Sequence, residues 1–232
     1  MFEREHHRRI LEILSALDPA TLGRLGAYFA GGTRIALKLG EFRESRDVDF
    51  LCADAGLYAD LRLLVREHGY DGLFAERRTL RLPREIRSDQ YGIRFPVLVE
   101  GVAVRVEIVR EARFSFGAPE TPQWSPVRCL AVEDCFTANL LANCDRWPDK
   151  DTLALDLIDL AALRRAHGPI PRSSWDAAEA AYRSIVRTDL HKAANTFLDD
   201  RDFQRRCFSG LSIRDEVAEP LLQAVRTLES EV

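Results

Sequence analysis

The stretch "AYFAGGTRIALKLGEFRESRDVDFLC", from Ala27 to Cys52, constrains this chain more than any other. Asp47 and Asp49 flank Val48 in a run of strand-forming residues. Side chains alternate faces along a strand, so both carboxylates point one way while Val48 and Phe50 point the other. Two like charges side by side are unfavourable, and burying either is costly. The arrangement is stable only if positive charge stands against it, and oxygen-rich pairs of this kind suit a hard divalent cation such as Mg²⁺. Ahead of it, "AYFAGG" reads as a short strand ending on Gly31 and Gly32. "TRIALKLG" reads as a helix with Thr33 near its start and Gly40 as its stop.

The rest of the chain extends this pattern. Residues 3–17 carry Ile10, Leu11, Ile13, Leu14 and Leu17 along one helical face, and "DPA" ends that helix. "LYADLRLLVREHG" is a second amphipathic helix, closed by Gly69. Over 73–116 the pattern changes to "LFAERRTLRL", "YGIRFPVLV" and "VAVRVEIVR", with turn residues at "SDQ" and "EGV" between them, which predicts successive strands of a mixed or antiparallel sheet. "GAPETPQWSP" at 117–126 has linker composition. Beyond it the chain reads as helices: "VEDCFTANLLANCDR", "DTLALDLIDLAALRRAHG", "SSWDAAEAAYRSIVRTDLHKAANTFLDD" and "DEVAEPLLQAVRTLESEV". The expected architecture is α+β: an α/β domain over 1–120 with a mixed sheet flanked by helices, then a helical domain over 121–232.

Composition excludes several classes. With 46% hydrophobic and 30% charged residues the chain has the make-up of a folded globular protein, and its net charge of −4 gives no global signature for nucleic acid. The five cysteines include no C-x-x-C pair and are read as reduced thiols rather than zinc ligands. No apolar run reaches membrane length, the N-terminus lacks the apolar core of a signal peptide, and a cytoplasmic location is expected.

A third acid, Glu107, lies in "VRVEIVR" between Val106 and Ile108, so it shares the face opposite theirs. Three carboxylates on neighbouring strands can hold two metal ions, the arrangement used for in-line phosphoryl or nucleotidyl transfer. The glycine pair at a helix start lets the backbone approach a phosphate, with Thr33 adding a hydroxyl. Each piece has a plainer reading. A glycine pair makes a tight turn, an Asp-x-Asp can sit on a solvated strand edge, and Glu107 can pair with Arg105 on its own face. Arg77, Arg78, Arg81, Arg84 and Arg87 could follow an RNA backbone or pair with surface acids such as Glu76 and Glu85.

Taken in order, Gly31, Gly32, Thr33, Arg43, Ser45, Asp47 and Asp49 resemble the Gly-Gly-Thr … Arg-x-Ser-x-Asp-x-Asp signature of the AbiEii/AbiGii-type nucleotidyltransferase toxin family, within the DNA polymerase β-like nucleotidyltransferase superfamily. "VEDCFTANLLANCDRW" and "DLIDLAALRR" are similar to that family's helical segment, with Asp156 and Asp159 on its aspartate positions and Arg146 on a basic one. Asn139 stands where the family carries a lysine. The resemblance implies a minimal nucleotidyltransferase fold and transfer of a nucleoside monophosphate from an NTP, with Mg²⁺ or Mn²⁺ held by Asp47, Asp49 and Glu107. It implies nucleotide binding by Gly31, Gly32, Thr33, Arg43, Ser45 and Asp156, an acceptor that is RNA of tRNA type, and a cognate antitoxin. Three other readings share parts of the pattern: a small-molecule nucleotidyltransferase, an inactive nucleotide- or partner-binding scaffold favoured by Asn139, and a metal-dependent glycosyltransferase, which the strand–Gly-Gly–helix segment fits poorly.

Overall fold

The computed structural model describes residues 2–75 and 80–231. The chain divides into two compact units, Met1–Arg34 with Arg46–Ala131, and Ile35–Ser45 with Val132–Val232.

The first unit begins with α1 (Glu5–Ala16), which buries Ile10, Ile13 and Leu14. Asp18 then caps α2 (Pro19–Arg24), its carboxylate accepting from the Ala20 and Thr21 amides, with Pro19 at the first helical position. β1 (Ala27–Ala30), the first turn of α3 (Gly31–Lys38), β2 (Val48–Cys52) and α4 (Ala55–His68) follow, then β3 (Arg87–Ser88), β4 (Gly92–Val99) and β5 (Val102–Arg110), while α3 from Ile35 on belongs to the second unit. The strands form one mixed sheet in the order β1-β2-β5-β4-β3. β2 pairs antiparallel with β1 and parallel with β5.

Local chemistry explains the elements. Val48, Phe50 and Cys52 of β2 and Val104, Val106 and Ile108 of β5 are buried, so both strands turn every second side chain into the core. β4 and β5 are joined at Glu100-Gly101, both with positive φ (51° and 81°), the two-residue geometry whose twist matches a hairpin. In the "SDQ" turn the Asp89 carboxylate accepts from the Tyr91 and Gly92 amides, at 2.7 and 2.9 Å. The outer edge of β1 is covered: Phe29 donates to the Arg128 carbonyl and accepts from the Leu130 amide, each at 2.9 Å.

One strand expectation is not met. Within "LFAERRTLRL" the described residues contribute isolated bridges, Leu17 with Phe74 and Arg81 with Leu98, and no named strand. Glu76, Arg77, Arg78 and Thr79 lie outside the described residues. Pro83, soon after, has no amide hydrogen for a ladder.

The second unit is helical: α5 (Val132–Arg146), α6 (Leu155–His167), α7 (Arg172–Tyr182), α8 (Ile185–Asp199), α9 (Arg201–Gly210) and α10 (Asp215–Ser230). The long pattern from Ser173 to Asp200 is two helices. Arg183 adopts φ 59° and its amide closes on the Glu179 carbonyl, ending α7. Segment 35–45 is tied into this unit through its backbone. Glu44 donates to the Leu211 carbonyl at 2.9 Å and Phe42 accepts from the Arg214 amide at 3.1 Å.

Among the ion pairs of this unit, two join an arginine to a buried aspartate by a fork. Arg43 Nε and Nη2 each donate to a different oxygen of Asp159 at 2.7 Å, and both residues are 1% exposed. Burial pushes the Asp159 carboxyl upward, and the Arg43 guanidinium pulls against it. Arg146 holds Asp156 by a similar fork at 2.6 and 2.7 Å. A buried pair adds less to stability than its geometry suggests, yet breaking it strands a charge. Asp159→Asn is therefore expected to cost about 3–5 kcal/mol in urea denaturation. The double change Arg43→Met with Asp159→Leu should recover most of that. An unchanged midpoint for Asp159→Asn would remove the pair from any structural role.

Candidate active site

The parallel register of β2 and β5 builds the site. Asp49 pairs directly with Glu107, and with Ala30 of β1 on its other side. Glu107 in turn pairs with Arg94 of β4, and Arg94 with Arg87 of β3. Direct cross-strand partners project from the same face about 4.5–5.5 Å apart at Cβ. One row across five strands therefore reads Ala30, Asp49, Glu107, Arg94, Arg87. Asp47 immediately precedes β2 and lies on the Asp49 side of the chain by alternation.

Positive charge meets these acids from the same sheet. Arg105 Nη2 donates to Asp47 Oδ2 at 2.8 Å, and its Nη1 stands 3.5 Å from Glu107 Oε1. Arg94 Nε reaches the same Glu107 oxygen at 3.3 Å while its Nη1 contacts Asp89, also at 3.3 Å. The hydrogen bond to Asp47 is the main influence holding the Arg105 guanidinium above its ordinary range, with the charges of Asp47, Glu107 and Asp49 adding to it. Glu107 is the most enclosed of these contacts at 17% side-chain exposure, against 38% for Asp47 and 58% for Arg105.

The glycine turn is fitted to this row. Gly31 has φ 68°, and a Cβ placed there would lie 2.7 Å from Asp49 Oδ2, so only glycine lets the start of α3 sit against the carboxylate. Gly32 follows, half-buried, and Thr33 is buried with its hydroxyl donating to the Asp47 carbonyl at 2.5 Å. Gly31, Gly32, Thr33, Asp47, Asp49 and Glu107 thus share one locality of the first unit. In the second unit Arg43 is committed to Asp159 and to the Glu44 carbonyl, Asp156 to Arg146, and Ser45 is half-buried. Asn139 is buried, its amide donating to the Cys135 carbonyl one turn back at 2.8 Å.

Arg34, which the sequence did not single out, is fully buried beside the glycine turn. Its Nη2 pairs with Glu120 at 2.8 Å, while Nε and Nη1 have no hydrogen-bond partner among the described residues. Burial pushes the Cys52 thiol up to about 11 and the Cys207 thiol to about 12, so neither is a ready thiolate nucleophile.

The donors suit a hard divalent cation, being three carboxylates of which two are cross-strand partners. As the side chains stand, no group of three His, Cys, Asp or Glu among the described residues is arranged to hold an ion. Arg105 occupies oxygens of both Asp47 and Glu107, so a cation that used all three acids would have to displace it.

Two solved structures share this fold. One, described as a nucleotidyltransferase from H. pylori, is 18% identical with a TM-score of 0.54, covering 97% of this chain and 94% of its own. The other, JHP933 from Helicobacter pylori, has the same identity and TM-score and covers 100% of this chain and 94% of its own. No curated protein matches the sequence. The fold is therefore that of a nucleotidyltransferase. Over residues 12–221 the sequence matches the family described as nucleotidyl transferase AbiEii toxin, type IV toxin–antitoxin system, and the chain belongs to that family.

Two outcomes test the geometry. Gly31→Ala should destabilise the protein by about 1–3 kcal/mol in urea denaturation, because a left-handed backbone and a carboxylate both oppose the new methyl. Unchanged stability would mean that the turn tolerates a side chain. Arg105→Ala should strengthen Mn²⁺ binding several-fold by titration calorimetry, in keeping with about 1 kcal/mol for an exposed pair. An unchanged or weaker affinity would show that Arg105 does not compete for these oxygens.

Proposed function

We propose that the chain transfers a nucleoside monophosphate from an NTP to a hydroxyl of RNA, and that it is the toxin of a toxin–antitoxin pair. Asp47, Asp49 and Glu107 hold Mg²⁺ or Mn²⁺ in this reading. The observation that carries it is the cross-strand row in which Asp49 faces Glu107 across β2 and β5 while Gly31 closes on Asp49. A bound cation would neutralise triphosphate charge at these oxygens.

The chain's own residues have distinct parts. Gly31 and Gly32 bring the backbone at the start of α3 close to the triphosphate. Thr33 acts through its bond to the Asp47 carbonyl, steadying the Asp-x-Asp strand. Glu107 helps to take the proton of the attacking hydroxyl. Arg43 and Asp156 serve the nucleotide indirectly, as halves of the ion pairs that brace the helical unit, and Ser45 belongs to the segment that Arg43 anchors. Arg81 and Arg87, both exposed, supply positive charge along the edge segment for an RNA backbone.

Asn139 favours a second reading, a scaffold that binds nucleotide without turning it over. Labelled NTPs with Mg²⁺ and total RNA, or with aminoglycosides in its place, separate the possibilities. Label in RNA supports the first reading, and label in the aminoglycoside replaces the RNA acceptor with a small molecule. A rise in melting temperature with NTP and metal, without transfer to either, establishes the scaffold. Asp49→Asn is expected to lower transfer by about 10²-fold or more while leaving the melting temperature within a few degrees. Full activity of that variant would refute the carboxylate assignment.

A further inference from the structure

A groove of about 960 Å³ in the first unit has none of the three carboxylates Asp47, Asp49 and Glu107 in its lining. One wall is α4 and the short turn after it, and the other is formed by residues 82–86 and Ser88. The α4 residues that reach it are spaced three and four apart, so an amphipathic helix presents a second, outward stripe here. Leu63 on that stripe is 51% exposed, one of three large hydrophobic residues exposed among the described residues. Leu82 and Ile86 face it from the segment opposite. Tyr70 joins the walls, its hydroxyl donating to the Arg84 carbonyl at 2.6 Å.

The charge of the groove is opposite to that of the chain. Arg62, Arg66 and Arg84 line it against a single acid, Glu85, in a protein of net charge −4. None of the three guanidinium groups makes a salt bridge or hydrogen bond among the described residues, and Arg62 Nε is buried without an acceptor. A desolvated donor without a partner is costly, and a carboxylate arriving from outside would relieve it.

We propose that this groove docks an acidic peptide segment of a partner protein, with an aliphatic side chain seated between Leu63, Leu82 and Ile86 and flanking carboxylates on Arg62, Arg66 and Arg84. A nucleic-acid strand fits less well. Bases need aromatic faces to stack on, and the one aromatic ring in the lining, Tyr70, packs edge-on against Phe95 at 5.3 Å and at a tilt against Phe74 at 6.0 Å. The volume suits a short segment whose apolar anchor fills a pocket and whose charges set its register. No residue of the groove belongs to the carboxylate site, so the inference is independent of the nucleotidyl-transfer reading.

The test uses the full chain, a fluorescein-labelled positional-scanning peptide library and a labelled single-stranded oligoribonucleotide, read by fluorescence polarisation. Saturable binding is expected, with selection of leucine, isoleucine or valine flanked by aspartate or glutamate, and it should weaken as salt rises. Leu63→Asp and Arg66→Glu, both exposed changes that leave the melting temperature in place, should each weaken it about ten-fold or more. Nucleotidyl transfer should be unaffected by either. The proposal is overturned by an absence of saturable peptide binding or by selection of basic or aromatic positions. Peptide affinity unmoved by the two substitutions, or oligoribonucleotide binding that they abolish, also overturns it.

Discussion

The parallel pairing of β2 with β5 is the contact on which the rest of the site depends. It brings Asp49 and Glu107, 58 positions apart in sequence, to the same point on one sheet face. A parallel pair needs a long crossover, and here the intervening chain supplies α4, the arginine-bearing segment 82–88 and β4. The crossover therefore does more than connect. It carries one wall of the groove on α4 and returns Arg94 to the far side of Glu107.

Electrostatics follow from that pairing. Carboxylates gathered on one sheet face would repel, and the sheet answers with arginines on the adjoining strands, Arg105 on Asp47 and Arg94 on Glu107. These pairs are part-exposed and individually weak, so the acids are balanced without being locked. The helical unit uses the opposite strategy. Arg43 and Asp159 are sealed from water with nearly ideal fork geometry, which makes them costly to separate and suits a strut better than a moving part.

Much of the fold was legible because its signals are local. Period-two burial marks β2 and β5, Glu100-Gly101 marks the β4–β5 hairpin, and the 3.6-residue pattern marks α1 and α4. Local signals misled where the neighbours decide the outcome. "LFAERRTLRL" has strand composition, but its described residues make only bridges. The run from Ser173 to Asp200 has unbroken helical composition, yet Arg183 takes a left-handed conformation with no glycine to announce it. Arg43 was legible as part of a motif. That its partner is Asp159, 116 positions away, was not, nor was the link from Arg34 to Glu120.

By itself the sequence determined that Asp47 and Asp49 share a face, that a glycine turn and helix precede them, and that a helix-rich segment follows. These rest on spacing along the backbone, which is the same in any fold that keeps the elements. The tertiary structure alone decided that Glu107 stands opposite Asp49, that Gly31 lies where no other residue fits, and that Arg105 is shared between two acids. Strand order, register and the packing of Asp49 where a Cβ on Gly31 would have to lie arise from contacts between segments far apart in sequence, and no local pattern encodes them.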